Sequence, residues 1–243
     1  FELEGRLGDA FAGKGLLAAS HSHSAWGQQS GHSGLEIGNG PFRDAVHAAF
    51  LDALEQAARA ALEDRRPAQL GIHVDRDFDP SDALSRDRRP ENDELMGGPR
   101  KDDTLVLIRV DGMDDRPIAV LPIFGVHGTL NDQDNHLASS DSTGGLERVL
   151  QEQFDDEVVV MHLQGAAGDV SPRGYGRIDC GLAPGLPGEA CTDWLSEEGF
   201  GRMAAPVMMA AWERAGEARV SQLEMEMVTR SIALGPNPET FTI

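Results

Sequence analysis

Three apolar stretches of the sequence each end in a polar loop, and this repeated layout constrains the fold most strongly. The stretches are LLAASHSHS at 16–24, IAVLPIFGVHGT at 118–129 and VVVMHLQGAAGDVSP at 158–172. Short apolar runs of this kind predict buried β-strands. Because ligands of α/β sheets gather at the carboxyl ends of the strands, we expect the three polar loops to converge on one site.

The rest of the chain alternates apolar runs with stretches of helical periodicity. We expect strands at 15–20, 69–74, 104–110, 117–126, 157–164 and 218–234, and helices at 41–65, 145–154 and 200–215. The charged segment 75–103 is expected to be a long loop. This order predicts an α/β fold, a layered mixed β-sheet domain with flanking helices and long active-site loops. A length of 243 residues suits one large domain.

The clearest helix prediction is 41–65, where apolar residues recur at helical spacing. They are Val46, Phe50, Ala53, Leu54, Ala57, Ala61 and Leu62. Pro41 suits a first helical turn, and Pro67 ends the pattern.

The chain is strongly acidic, with a formal net charge of −20. Since like charges repel, this charge argues against nucleic acid as a partner and against electrostatic docking to anionic lipid. We interpret the acidity as a source of solubility in a salty or extracellular setting; steering of a cationic substrate is the alternative. No apolar run approaches the roughly 20 residues that a membrane helix needs. The chain begins at Phe1 without a signal peptide, so we interpret it as an interior or processed piece of a longer protein.

The two cysteines, Cys180 and Cys191, flank a loop rich in Gly and Pro. A loop of this length can close into a disulfide, which would stabilise the chain by roughly 3 kcal/mol. Two free thiols are the alternative. A disulfide favours an oxidising compartment, so we expect a secreted, extracellular or periplasmic protein.

Three histidines lie at the ends of the first two of the three apolar stretches, 16–24 and 118–129. His21 and His23 are two residues apart, and residues i and i+2 of an extended strand point to the same face. Neutral imidazole is the commonest metal ligand and the usual proton shuttle near neutral pH, so a ligand and a general base can stand side by side there. His127 follows the second strand. Taken alone, each is more often a surface or structural histidine than a metal ligand.

Ser171 lies in GAAGDVSPRGYG, where glycines on both sides permit close backbone approach to a substrate. Its hydroxyl can act as a nucleophile or as a hydrogen-bond donor to a carbonyl. The pattern is not a nucleophile elbow, because GxSxG is absent. From spacing alone, a structural turn at Ser171 is the favoured interpretation.

Four segments together resemble the neutral and alkaline, non-lysosomal ceramidases over about residues 15–191. SHSHS resembles their THTHSGPGG segment, and FGVHGTLNDQDNHLASSDSTG resembles FAVHGTSM…NHLISGDNKG. LQGAAGDVSPRGYG, followed by the two cysteines, resembles GDVSPN…G…C…C, and SRDRRP at 85–90 resembles a weakened NRSP. The order and the approximate separations of the four segments also agree.

The resemblance implies a zinc-dependent amidohydrolase that cleaves the amide of ceramide, or of a related N-acyl lipid, to a fatty acid and an amine. It implies that His21 and His127 are zinc ligands and that His23 is the acid/base group beside the metal. Arg88 takes the position of the substrate-binding arginine, and Ser171 that of the active-site serine. The cysteine pair corresponds to the loop disulfide of the family.

The sequence also departs from the family pattern. GPGG becomes AWGQQSG and GDNKG becomes SDSTG. The family draws a Glu and a Tyr ligand from a later part of its chain, so we expect a further segment or a second chain to supply the remaining zinc ligands. The 243 residues are then a single catalytic domain without the N-terminal strand region and C-terminal part of the family domain. Two alternatives are a metal-free hydrolase of another N-acyl amide or ester using Ser171, and a non-catalytic ceramidase-like binding module.

Overall fold

The computed structural model describes residues 2–11, 13, 15–29, 40–89, 101–131, 135–155, 157–172, 194–224, 226 and 228. Its α-helices are α1 (Glu2–Leu7), α2 (Asp44–Glu63), α3 (Asp141–Gln151) and α4 (Trp194–Ala215). Its strands are β1 (Ala68–Asp75), β2 (Ser85–Asp87), β3 (Leu105–Gly112), β4 (Pro117–Phe124), β5 (Val159–Val160), β6 (Leu163–Gln164) and β7 (Val170–Pro172). Two 3-10 turns cover Asp9–Phe11 and Gly216–Ala218. None of the helices in these ranges is long and apolar enough to span a bilayer.

The central sheet has five strands of mixed direction. β1, β3 and β4 pair antiparallel in the order β1-β3-β4, and both β5 and β6 run parallel to β4. The tight turn between β3 and β4 explains their antiparallel pairing, whereas the parallel strands follow a crossover through α3, as parallel pairs require. The predicted α/β class with a mixed sheet is confirmed.

Helices α3 and α4 pack together beside the sheet. Their closest approach is at Gly145 and Gly201, where an added Cβ would collide with backbone atoms of the opposite helix. Phe200 and Met208 of α4 join Leu107 of β3 in the buried core. Because α3 follows directly after the polar loop that contains His127, this packing anchors that loop to the core.

A second, two-stranded sheet lies at the end of β4. It pairs β2 antiparallel with β7, with Arg86 opposite Ser171. The backbone N–H of His127 donates to the carbonyl oxygen of Val170 at 2.9 Å, and that of Arg88 donates to Asp169 at 2.9 Å. These bonds bring two distant parts of the sequence against the end of β4.

Several element predictions hold with shifted boundaries. β1, β3, β4, α3 and α4 lie where strands and helices were expected, and the expected helix 41–65 is α2. The predicted strand 157–164 is divided into β5 and β6 by Met161 and His162. The predicted long loop at 75–103 contains β2, and its residues 90–100 lie outside the described residues.

The prediction of a buried strand at 15–20 is wrong. The segment has no regular structure, and Leu16 and Leu17 are 75% and 61% exposed. Ser22, beyond the apolar run, forms a β-bridge with Gly128, and among the described residues no strand pairs with 15–20 to cover the leucines.

The predicted strand at 218–234 is reduced to a single bridge between Val220 and Leu70. The described residues 221–224, 226 and 228 form no strand, and 225, 227 and 229–243 lie outside the described part of the chain. Cys180 and Cys191 also lie outside it, so their disulfide stays a prediction without structural support.

Candidate active site

Backbone contacts join the segment that carries His21 and His23 to the segment after β4. Ser22 bridges Gly128 in parallel fashion, and the His23 N–H donates to the Gly128 carbonyl at 2.9 Å. A Cβ on Gly128 would lie 2.8 Å from the Ser22 Cα, so only glycine permits this approach. His21 has φ +61°, a left-handed conformation that non-glycine residues seldom adopt and that often marks a functional turn.

The turn directs two imidazoles at a third. The Nε2 atom of His21 lies 2.9 Å from Nε2 of His127 and 3.2 Å from Nε2 of His23. Ring centroids of His21 and His127 are 4.3 Å apart, whereas those of His23 and His127 are 5.3 Å apart. His21 and His127 are therefore the tightest pair, and His23 lies beside them. The loop after residues 15–20, which is not a strand, and the end of β4 thus bring three imidazoles together.

The tautomer of His127 is set by its surroundings. Its Nδ1 lies 2.6 Å from the carbonyl oxygen of Ala167, which can only accept a hydrogen bond. Nδ1 therefore carries the proton, and Nε2 presents its lone pair to the other histidines. Metal-binding histidines ordinarily have such a carbonyl behind them.

The three imidazoles favour their neutral form. Burial lowers the pKa of His21, and the nearby charges of His127 and Arg88 lower it further. Burial likewise lowers the pKa of His23, with His21 adding to the effect and Asp141 opposing it. The pKa of His127 is lowered by burial, although its bond to Ala167 opposes the shift. Only neutral imidazoles can bind a metal, so these shifts keep the cluster competent near neutral pH.

The cluster fits a zinc ion. With Zn–N bonds of about 2.0–2.1 Å, two tetrahedral nitrogen ligands lie about 3.3 Å apart. The Nε2 separations of 2.9 Å and 3.2 Å are close to that spacing, and one ligand atom from each of the three residues lies within 4.8 Å of the others. Imidazole nitrogen is a preferred zinc donor. Three residues of the described chain can thus contribute to a metal site.

Arg88 and its neighbour Arg89 have different contacts in the structure. The guanidinium Nη1 of Arg88 lies 3.3 Å from Nε2 of His127. Arg89 instead forms ion pairs with Asp87 at 2.9 Å and with Asp169 at 2.5 Å. Arg88 therefore lies within hydrogen-bond distance of the histidine cluster.

Ser171 lies next to the cluster but does not bond to it. It is 1% exposed in β7, and its Oγ has no hydrogen-bond partner among the described residues. The preceding residue, Val170, accepts the backbone bond from His127. A serine nucleophile needs an adjacent base, and none of the described residues provides one within hydrogen-bond distance of this hydroxyl.

Asp141 is a positioning residue that the sequence analysis missed. It is fully buried, and its carboxylate accepts from the N–H of Leu130 at 2.7 Å and of Ser142 at 2.7 Å. It also accepts from the hydroxyl of Ser24 at 3.1 Å, which ties the HSHS turn to the start of α3. The Ser142 hydroxyl in turn donates to the His127 carbonyl at 3.0 Å. The aspartate of SDSTG, which matches the aspartate of GDNKG in the resemblance, was the available signal.

The family can be assigned from comparison with known proteins. The family model described as "Neutral/alkaline non-lysosomal ceramidase, N-terminal" matches residues 2–222. The chain belongs to the neutral/alkaline ceramidase family. The family named from the sequence motifs is thereby confirmed.

Curated members of the ceramidase family match about half of the chain. The neutral ceramidase of Mycobacterium tuberculosis is 29% identical over 132 residues, which cover 53% of this chain and 21% of that protein. Neutral ceramidase A of Dictyostelium discoideum is 26% identical over 132 residues, covering 53% of this chain and 18% of that protein. The matched region is thus about a fifth of the length of these relatives.

A solved ceramidase structure has the same fold. The neutral ceramidase of Pseudomonas aeruginosa superposes with a TM-score of 0.74 at 19% identity, covering 90% of this chain and 35% of that chain. A structure described as ceramidase complexed with C2 gives a TM-score of 0.73 at 19% identity, covering 90% of this chain and 34% of that one. At this identity the likeness supports the fold.

Proposed function

We propose that the chain is the site-bearing part of a zinc-dependent amidohydrolase that cleaves the N-acyl amide bond of ceramide, or of a related N-acyl lipid, to a fatty acid and an amine. The observation that carries this proposal is the convergence of the Nε2 atoms of His21, His23 and His127 beside the guanidinium of Arg88. Membership of the ceramidase family supplies the substrate class.

His21 and His127 are the proposed zinc ligands, because their Nε2 atoms form the closest pair in the cluster. Bound zinc supplies Lewis acidity and lowers the pKa of water to about 7. Ala167 fixes the His127 ring so that its Nε2 faces the metal position. A further segment of the protein, or a second chain, supplies the remaining ligands in this proposal.

His23 is the proposed acid/base group. Its Nε2 is 3.2 Å from that of His21, so it stands beside the metal position. Amide hydrolysis requires one proton to leave the attacking water and one to reach the departing nitrogen. His23, neutral because burial lowers its pKa, accepts the first proton and delivers it to the amine as the C–N bond breaks.

Arg88 is the proposed oxygen-binding group. Its guanidinium donates toward the cluster, where negative charge develops on the acyl oxygen in the transition state. Arginine stays protonated at any working pH, so this donor is always available.

Ser171 is assigned to substrate orientation. Its hydroxyl is buried without a partner in the described chain, so it is available to a bound amide. The metal-free alternative needs a histidine within hydrogen-bond reach of Ser171 Oγ, and the described residues place none there. A secreted, extracellular or periplasmic location is also proposed, from the acidic composition and from the disulfide predicted between the two cysteines.

Metal analysis together with a hydrolysis assay tests the proposal. The purified protein, together with the further segment or second chain that completes the ligand set, should contain zinc and release fatty acid from an N-acyl sphingoid lipid, and a chelator should abolish this activity until zinc is restored. Hydrolysis that is indifferent to chelation, with Ser171 labelled by a fluorophosphonate probe, would support the serine alternative instead. Absence of both zinc and hydrolysis would favour the binding module.

A further inference from the structure

An apolar groove lies beside the histidine cluster. Its volume is about 460 Å³, which is within the range of small-molecule sites. One wall is helix α2, and the other comes from the turn after His23 and the loop before α3. The residues that line it include Ala25, Trp26, Val46, Phe50, Ala53 and Ser139. Among the described residues the lining contains no charged side chain.

Helix α2 presents a partly exposed stripe of apolar side chains to the groove. Val46, Ala49, Phe50 and Ala53 follow i, i+3, i+4, i+7 spacing, which places them on one face of α2 over about 10 Å. Such a stripe ordinarily packs into a core. Here Leu51 is the one buried residue of α2, and Phe50 is 44% exposed.

The other side of α2 is already occupied by α1. Arg6 of α1 bonds to Asp52 at 2.6 Å and pairs with Glu55 at 3.8 Å. Both acidic residues lie away from the stripe on the helical wheel. The stripe therefore faces the groove and not a neighbouring helix.

Trp26 forms the opposite wall. Its side chain is 70% exposed, which is unusual for so large an apolar residue. Ala49 and Ala53 across the groove are small, and their size leaves the space between the walls. An exposed tryptophan facing an exposed aliphatic stripe is typical of an apolar ligand site.

The groove adjoins the turn that carries His23. Ala25 follows His23 by two residues, so their Cα atoms are at most about 8 Å apart. The Ser139 N–H donates to the Ser24 carbonyl at 3.1 Å, and the Ser22 hydroxyl donates to the Ser139 carbonyl at 2.8 Å. A molecule with a polar amide at the cluster thus has an uncharged, apolar channel beside it.

We infer that this groove holds one hydrocarbon chain of the lipid whose amide is bound at the histidines. This inference rests on the proposed function, because the cluster supplies the polar end of the ligand. The groove lacks charges that could recognise a headgroup or a peptide, and its walls offer aliphatic and indole surface. The chain comes from either the acyl or the amine half of the substrate.

Trp26 provides a binding signal that does not need hydrolysis. In a Trp194→Phe, Trp212→Phe background, which leaves Trp26 as the single tryptophan of the sequence, chelator-treated protein is titrated below micelle formation with dodecanoic acid, dodecylamine and their six-carbon analogues. We expect a saturable blue shift of Trp26 emission, and quenching when the chain carries bromine atoms. Each added methylene that enters the groove should tighten binding about fourfold. The headgroup that binds more tightly identifies which half of the substrate lies there.

A matched pair of variants localises the chain. Ala53→Phe fills the groove without changing charge, and Ala60→Phe makes the same change at an exposed position of α2 outside it. Ala53→Phe should weaken binding at least tenfold, whereas Ala60→Phe should leave it within twofold, with unchanged circular dichroism for both. No saturable Trp26 response, or equal binding by the two variants, would overturn the inference. Chain binding without zinc-dependent hydrolysis would instead overturn the proposed function and leave the groove assignment standing.

Discussion

The Nδ1 atom of His127 donates to the carbonyl oxygen of Ala167 at 2.6 Å, and this bond decides which ring nitrogen faces the other histidines. Without it, either tautomer could form and Nε2 would not reliably present a lone pair. The carbonyl belongs to the GAAGD loop, so the third polar loop contributes to the cluster through its backbone. Two loops therefore contribute the histidine side chains of the site, and the third contributes a backbone carbonyl that orients one of them.

Removal of either proposed ligand should abolish zinc binding. His21→Ala and His127→Ala are expected to weaken zinc affinity by more than the roughly 10–100-fold that loss of an outer partner costs. Metal analysis after gel filtration and competition with a chelator measure the effect. His47→Ala, on α2 and outside the cluster, is the control and should retain zinc. Unchanged zinc content in both ligand variants would contradict the assignment.

His23→Ala distinguishes a proton carrier from a third ligand. If His23 exchanges protons, zinc content should stay near the unmodified level while the hydrolysis rate falls about 10²–10⁴-fold. The measurement is zinc stoichiometry and kcat on the same preparation. Loss of zinc in parallel with His21→Ala would instead make His23 a ligand, a role its 3.2 Å contact with His21 also permits.

Substitution of Arg88 should lower kcat without reducing the zinc content. Removing one transition-state donor typically costs about 10²–10³-fold in kcat, and Arg88→Ala should fall in that range with zinc retained. Arg88→Lys should restore only part, because lysine lacks the planar fork of the guanidinium. Arg89→Ala is the comparison variant, since the half-exposed Arg89 forms its ion pairs with Asp87 and Asp169. Equal losses in the Arg88 and Arg89 variants would contradict the distinction between them.

The positions of the histidines and of the main strands could be predicted from the sequence, whereas the conformation of 15–20 and the role of Asp141 could not. β3 and β4 were predictable because each is an apolar run long enough to be covered by packing, and His127 could be placed at the end of β4. The run at 15–20 is also apolar, but no strand of the described chain pairs with it, and strand formation depends on a partner that local sequence does not reveal. Asp141 was missed because its importance comes from the N–H groups and hydroxyl that fold around it, which lie up to 117 residues away.

Lys101 should be a major stability determinant of the segment that leads to Arg88. Its side chain is 2% exposed and its Nζ bonds to Asp79 at 2.8 Å and to the Ser85 carbonyl at 2.6 Å. Breaking a buried ion pair by removing one partner costs about 3–5 kcal/mol, so Lys101→Met should lower the free energy of unfolding by that amount. Urea denaturation measures it. Arg66→Met, which removes an exposed pair with Asp64, should change stability by about 0–1 kcal/mol. Similar stabilities for the two variants would show that the buried pair contributes little.

His162 should make the fold sensitive to mild acid. Burial lowers its pKa to about 4, although the bond of Nε2 to the Phe124 carbonyl opposes the shift. Its Nδ1 is buried without a partner among the described residues, so protonation would leave a charged N–H unpaired in the core.

The direction of the His162 effect follows from proton linkage. An unfolded histidine titrates near pH 6.5, so between about pH 6.5 and 4 the unfolded chain binds this proton and the folded chain does not. The stabilisation is complete above pH 6.5 and is lost as the pH falls toward 4, by about 3 kcal/mol in total. Urea denaturation at a series of pH values should therefore give a shallower decline for His162→Gln and His162→Asn than for the unmodified protein over this window. Two neutral replacements are used because each changes packing differently while both remove the titration. Parallel pH profiles for all three proteins would exclude His162 as the source of the acid sensitivity.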